Sequence, residues 1–242
     1  MARQRSIRSV PMWLRWLLPA MMLAQIAFRT IEPAPAALAA QLAPPPAINS
    51  LRLGALGEPV GFALLLTLNL QAFDTQPGVS IPFSQLDYVN LVQWLDTIAT
   101  LDPTTSYPLL LASQVYSQVP DEAKQRAVLD FVYREFLEDP VLRWRWLAHA
   151  SIIAKHRLDD PRLALRYARA IADDADDSRV PSWARQMHIF LLEDLEETEA
   201  ARILLGGLLT SGTVTDEHEV RFLMERLKAM ESADISSKAS NP

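Results

Sequence analysis

Cysteine is absent from the 242 residues, which removes disulfides, thiolate nucleophiles, zinc ribbons and Cys-ligated clusters together. The absence does not fix a compartment, because a cysteine-free chain suits either side of a bacterial inner membrane. Glycine is scarce, at 7 residues, and alternating β-branched or aromatic runs are few, so strands have little to form from. Positive charge does not predominate either. The formal net charge of −6 is the opposite of the basic footprint that displaces counterions from nucleic acid. What remains abundant is Leu, Ala, Arg, Glu and Asp, with 50% hydrophobic and 21% charged residues. That is the balance of a folding chain whose intrinsic preference is helix.

The N-terminal 30 residues read as a segment apart from the fold. Arg3, Arg5 and Arg8 have no acidic partner and precede an apolar stretch, the layout of a signal peptide or signal anchor. From Trp16 to Phe28 the apolar part covers only 13 residues, whereas a full span needs about 17–25. Counting from Pro11 lengthens it to 18, with Arg15 close enough to the end to reach the headgroups. The expectation is one uncleaved N-terminal transmembrane helix, with the N-terminus cytoplasmic because the arginines precede it. Cleavage near Ala37-Leu38-Ala39 is the competing reading, and a cytoplasmic segment a third. Residues 31–47, rich in Ala and Pro, form a semi-rigid spacer. Residues 48–231 form the folded domain, and 232–242 a small, polar, frayed tail.

Within the domain, apolar residues recur at three and four, and prolines fall between the runs. Pro59 suits the first position of a helix over Pro59–Phe73, and Pro77-Gly78 marks a turn. In the next helix, about Ser84–Thr100, Leu91, Leu95 and Ile98 share one face, and Asp102-Pro103 closes it. Leu109, Ala112, Ser113 and Tyr116 then give a large, spacer, small and aromatic sequence that allows close helix approach. The pattern returns with Asp139-Pro140, then with Trp146, Ala150 and Ile153. It recurs in Leu163, Tyr167 and Ala170 after Asp160-Pro161, and in Ala200, Leu204 and Leu208 after Val180-Pro181. Such alternation is that of tetratricopeptide-like helix pairs in a degenerate array, with a final helix at about Asp216–Met230 as cap. The fold class is therefore all-α: antiparallel helix pairs stacked as a TPR-like α-solenoid after one transmembrane helix.

The motifs Leu51-Arg-Leu-Gly-Ala-Leu-Gly57, Leu70-Gln-Ala-Phe-Asp74, Trp94-Leu-Asp96 and Leu101-Asp-Pro103, with Arg145-Trp-Leu-Ala-His149, Ala154-Lys-His156 and Pro181-Ser-Trp-Ala-Arg-Gln-Met187, carry a resemblance. Over about Leu51–Leu227 the chain resembles a group of uncharacterised, membrane-anchored, tetratricopeptide-like proteins of proteobacteria. The resemblance implies architecture and location and transfers no functional residue.

Catalysis finds no support. His149 and His156 lie two turns apart, too far for one metal without other ligands, and His188 and His218 stand alone. Asp173–Asp177 lacks the glycine turn and closing glutamate of a calcium loop. Gly206-Gly207 falls inside a helical run, where close packing is the simpler reason for it than a phosphate loop. No nucleophile, base and orienter are found together. No catalytic, metal-binding or cofactor-binding residue is assigned, and no cofactor is expected. The best functional lead is Arg143-Trp-Arg-Trp146, with Lys155 and His156 further along the same helix. Trp146 and Ala150 would face the core while Arg143 projects toward a groove. The candidate partner-binding residues are Arg143, Trp144, Arg145, His149, Lys155, His156, Tyr88 and Tyr107. For each of them core packing, with the arginines paired to acids such as Glu138 and Asp139, is the alternative.

The expectation is a non-catalytic scaffold or assembly factor, anchored in the bacterial inner membrane with its domain in the periplasm. Its groove would hold a protein partner of the cell envelope. A lipid- or small-ligand-binding protein with a pocket near Trp144 and Trp146 is the alternative. A helical hydrolase, which needs a buried catalytic carboxylate, is a third reading. Nucleic acid is excluded as a partner, and the sequence leaves the oligomeric state open.

Overall fold

The computed structural model describes residues 12–31, 39–195, 197–212 and 214–239. The N-terminal arginines, the segment containing Ala37 and Leu38, and the last three residues lie outside these, as does the side chain of Arg15. Among the described residues the chain is mostly helical and divides into two compact units. One contains the N-terminal segment to Ala40 with Thr75–Ser80, and the other the remainder.

In the first unit, α1 (Met12–Ile31) is a 20-residue helix interrupted in composition by Pro19. Trp16, Leu18, Met21, Leu23 and Phe28 stand exposed along it. Arg15, Gln25 and Arg29 dilute its apolar character, and no single described helix is both long and apolar enough to cross a membrane. The two-residue strands β1 (Thr75–Gln76) and β2 (Val79–Ser80) pair antiparallel. Between them the Pro77-Gly78 turn has Gly78 at φ 78°, the left-handed value that a turn of this kind needs and glycine supplies without strain. The Gln76 side chain exchanges two hydrogen bonds with the backbone of Ala40.

The second unit begins with α2 (Ile48–Gly54) and α3 (Pro59–Gln71), bent by 111° at their junction. There follow α4 (Tyr88–Leu101), α5 (Tyr107–Leu110), α6 (Glu122–Glu138), α7 (Pro140–His156), α8 (Pro161–Asp174), α9 (Ser182–Asp194), α10 (Thr198–Ser211) and α11 (Glu217–Ala239). Three prolines set helix starts. Pro59, Pro140 and Pro161 each occupy the first helical turn, where a missing N–H costs nothing. The preceding aspartates complete two of these caps, Asp139 accepting from Leu142 N and Asp160 from Leu163 N, both at 2.9 Å. Asp139 alone separates α6 from α7.

From α3 onward the helices pack chiefly on their neighbours in sequence, the α7–α8 and α8–α9 pairs most extensively, while α2 packs on α4. The expected core stripes are in place: Leu91, Leu95 and Ile98 of α4, and Leu163, Tyr167 and Ala170 of α8, are buried. Small residues do bring helices close, as Ala164 and Ser151 show. Both are buried, and Ser151 Oγ donates to the Ala164 carbonyl at 2.9 Å.

Alternate helices also lie side by side in parallel. Lys155 pairs with Asp194 across 39 residues of chain, joining the C-terminal ends of α7 and α9, and Trp144 meets Trp183 near their N-terminal ends. The even-numbered row repeats this arrangement. Asp96 pairs with Arg134 across 38 residues, Asp130 with Tyr167 across 37, and Arg126 with Asp160 across 34.

Four expectations change. The helix expected through Leu109, Ala112, Ser113 and Tyr116 is not regular, because α5 passes into a π-helical turn at Leu111–Val115 and a 3-10 turn at Tyr116–Gln118. In α10 the buried stripe is Ala201 and Leu205, one residue on from the expected Ala200, Leu204 and Leu208. Gly206 and Gly207 are not a close-packing site, since a methyl group at either would meet no heavy atom within 4 Å. Lastly, α11 continues to Ala239, beyond the Met230 end that the pattern predicts.

Candidate partner-binding surface

The α7 helix explains why the eight candidate residues do not act together. One side is core: Leu147, Ala150 and Ala154 are fully buried. The outward side is Leu142, Arg145, His149, Ile152 and His156, a three–four spacing that forms one stripe on a helix. Arg145, Ile152 and His156 are exposed, and His149 is half-buried.

Arg143 does not belong to this stripe. Only 4% of it is exposed. Its guanidinium donates to the Glu135 carbonyl and carboxylate, both at 2.7 Å, and to the Pro103 carbonyl at 2.9 Å. The projection toward a groove expected from sequence is therefore corrected: Arg143 ties α7 to α6 and to the end of α4. Its acid is Glu135, rather than Glu138 or Asp139. Burial raises the Glu135 pKa, and the charge of Arg143 opposes that rise without cancelling it. Tyr88 is corrected likewise. It is 5% exposed, and its hydroxyl donates to the Tyr116 carbonyl at 2.8 Å. Burial pushes the Tyr88 phenol upward in pKa, which fits a structural donor.

The residues that do gather are aromatic and cationic. The Trp144 ring meets Trp183 edge to face with centroids 5.5 Å apart, and the Arg145 guanidinium lies 5.8 Å from the Trp144 centroid. Trp183 is half-exposed at 54%. Arg145 makes no ion pair among the described residues, so its charge is open to a partner. Lys155 is taken up by Asp194. His149 sits below the ordinary histidine pKa because burial disfavours its charged form. A hydrogen bond with the Ser113 backbone opposes this shift, and Arg157 adds to it. Tyr107 opens α5 and is exposed. Trp146 is half-buried, its indole N–H buried and without a hydrogen-bond partner among the described residues.

Two of the contributing residues, Trp183 and Phe190 of α9, are ones that sequence reasoning passed over. Phe190 packs near Phe222 of α11 at 6.2 Å, so an aromatic row runs from α7 across α9 to α11. The signal for it was present as Trp183, Met187 and Phe190 at four and three, but the same spacing also describes a core face.

Compared with protein-family models, curated proteins and solved structures, the chain has no match.

Open clefts lie between other helices. One of about 620 Å³ is lined by Tyr133, Arg162, Arg166, Arg169, Asp173 and Glu197, among others. There the Arg166 guanidinium lies 5.5 Å from the Tyr133 centroid and 5.4 Å from that of Tyr167. Another of about 540 Å³, lined by Asp96, Arg134, Glu135 and Arg143, follows the α4–α6 seam. Neither takes in Trp144 or Trp146, so the pocket that a small ligand would need at these tryptophans is not among them. Nor does any group of three or more His, Asp or Glu side chains among the described residues stand ready to hold a metal ion.

Proposed function

We propose that this chain is a membrane-anchored, non-catalytic scaffold that holds a protein partner of the cell envelope across the outward stripes of α7 and α9. One observation carries the reading: α7 and α9 run parallel, joined at one end by Trp144–Trp183 and at the other by Lys155–Asp194. The near-constant step between such contacts in both rows of helices supports a TPR-like array of stacked pairs. In such an array neighbouring units bury a continuous core and leave one long face for a ligand. Arg145, which has no ion-pair partner among the described residues, gives the face its cationic character. The face therefore suits an acidic helix or extended segment laid along the stripes, its apolar side chains against Trp144, Ile152 and Trp183.

The exposed apolar residues of α1 support an N-terminal anchor. The resemblance to membrane-anchored proteobacterial repeat proteins favours the inner membrane, with the domain on the periplasmic side. Confinement there raises the effective concentration for membrane partners.

The test is capture from gently solubilised membranes, comparing the unaltered chain with Arg145→Glu and with Trp183→Ala. A stoichiometric envelope protein that is retained by the unaltered chain and lost by both variants supports the proposal. Retention by both variants, with their helical circular dichroism unchanged, places the partner elsewhere and overturns it.

A further inference from the structure

A water-facing helix in this protein normally turns charge outward, and α3 does not; the exposed Arg52 and Glu58 stand ahead of it in the corner. α3 buries Ala63, Thr67 and Leu70 and packs on α4. Its opposite side presents Val60, Leu64, Leu65 and Leu68, exposed by 46–62%. At the corner itself Leu53 is 82% exposed and Leu56 90%. From Pro59 to Phe73 there is no charged residue. Leu56 adopts φ 50°, a left-handed conformation unusual for a leucine and costly for the fold. Its side chain returns almost no contact within the chain.

We infer that this corner is a lipid-facing element, whose leucines enter the shallow acyl region of a bilayer and lie along it without crossing. Three features select lipid over a protein partner. The most exposed leucines, Leu53 and Leu56, sit at a 111° bend and stand almost bare of contacts instead of lining a cleft. Protein-binding sites, by contrast, favour concave pockets around their anchor residues. Together α2 and α3 have the apolar length of a span, but the bend prevents a straight crossing, and the packing of α3 on α4 keeps one side out of the membrane. The insertion is therefore limited to the outer leucines, to a depth of about 5–10 Å, as for interfacial helices. Arg52, exposed beside Leu53, can hold a headgroup phosphate while the leucines enter.

This rests on the anchored reading in one respect. Residues 32–47 join α1 to α2, and 16 residues extend to at most about 55 Å, so an anchored α1 keeps the corner within reach of the same bilayer.

The absence of cysteine makes the test direct. Leu56→Cys and, as a remote control on α11, Met224→Cys are each labelled with an environment-sensitive nitrobenzoxadiazole in the full chain. Each is mixed with phosphatidylethanolamine–phosphatidylglycerol vesicles. The expected result is a blue-shifted label at position 56 that is quenched by lipids carrying a shallow acyl nitroxide and shielded from iodide. The label at position 224 remains open to iodide. A label at position 56 that stays water-like overturns the inference. So does one already shielded before vesicles are added, since that indicates a second copy covering the corner, and so does equal shielding at both positions. Alkaline extraction of the same vesicles judges the α1 anchor alone. A chain released by alkali but lipid-shielded at position 56 refutes the anchor and keeps the corner, while a retained chain with an unshielded label does the reverse.

Discussion

The helices α3 and α8 are built alike on their inner sides and oppositely on their outer ones. Each buries small residues against a neighbour, Ala63 and Thr67 in α3 and Ala164 and Ala168 in α8. Outward, α8 presents Arg162, Arg166 and Arg169, while α3 presents Val60, Leu64, Leu65 and Leu68. The inner sides show what the fold requires: small residues and tight approach. The outer sides show what the surroundings require, although Arg166 also lies over the Tyr133 and Tyr167 rings. Charge on α8 is what water favours, and leucine on α3 is what water disfavours.

The comparison can be broken in four places, taken from the largest expected effect downward. Arg143→Ala leaves the buried Glu135 carboxylate without its cation. It should cost about 3–5 kcal/mol of stability, measured by urea unfolding, whereas Arg145→Ala two residues on should stay within about 0.5 kcal/mol. An equal loss for both would mean that Arg145 is structural as well. Ala164→Leu on the inner side of α8 should cost about 1–3 kcal/mol by overpacking the contact with α7, read from the same unfolding curves.

Acidification should come next. His149 and His188 both have pKa values held below the ordinary 6.5, chiefly by burial, so the fold favours their neutral forms. Their contribution is full above the ordinary value and is lost as pH falls from 6.5 through the lowered values. Glu135 acts in the other direction. Its raised pKa gives a contribution that is full below 4.5 and lost as pH rises through the raised value. Tm should therefore fall on acidification from neutral pH, and the double variant His149→Gln/His188→Gln should flatten that arm. A slope that persists unchanged in the double variant would assign it to other groups. The smallest effect is expected on the outer side of α3. Leu65→Arg should change unfolding free energy by no more than about 0.5 kcal/mol while reducing binding to vesicles at the corner, seen as a loss of lipid quenching for a label carried at position 56.

Legibility in the sequence follows the same inner and outer division. The helix boundaries at Asp139-Pro140 and Asp160-Pro161 are readable because cap chemistry is local and needs nothing beyond their own turn, whereas the same pair at Asp102-Pro103 ends α4 without starting a helix. Core stripes in α4 and α8 were readable from period. The π-helical turn at Leu111–Val115 was not, since no residue type there announces it. The different fates of Arg143 and Arg145 were also hidden. They lie two positions apart on α7, and only the placement of Glu135 and the Pro103 carbonyl from other helices decides which is buried. Apolar periodicity in α3 reads equally as core or as outward surface, so its exposed leucines emerged only with α4 in place. The Trp144–Trp183 contact was unreadable for a similar reason, as its partners come from two helices that are not consecutive in the chain.

A single residue, Asp139, separates α6 from α7 and caps the second while ending the first. Two long helices joined in this way have no slack chain between them, so a pull on either is passed to the other without a spring. Where most connections of such a protein would absorb an added residue or a protease cut as a local event, this corner has no loop in which to absorb it. An insertion there would have to turn one helix about its own axis, carrying Arg143 away from Glu135 and Arg145 inward. The junction thus acts as a keyed coupling, in which the length of the joint, as much as the identity of the arginines, determines which of them meets the solvent.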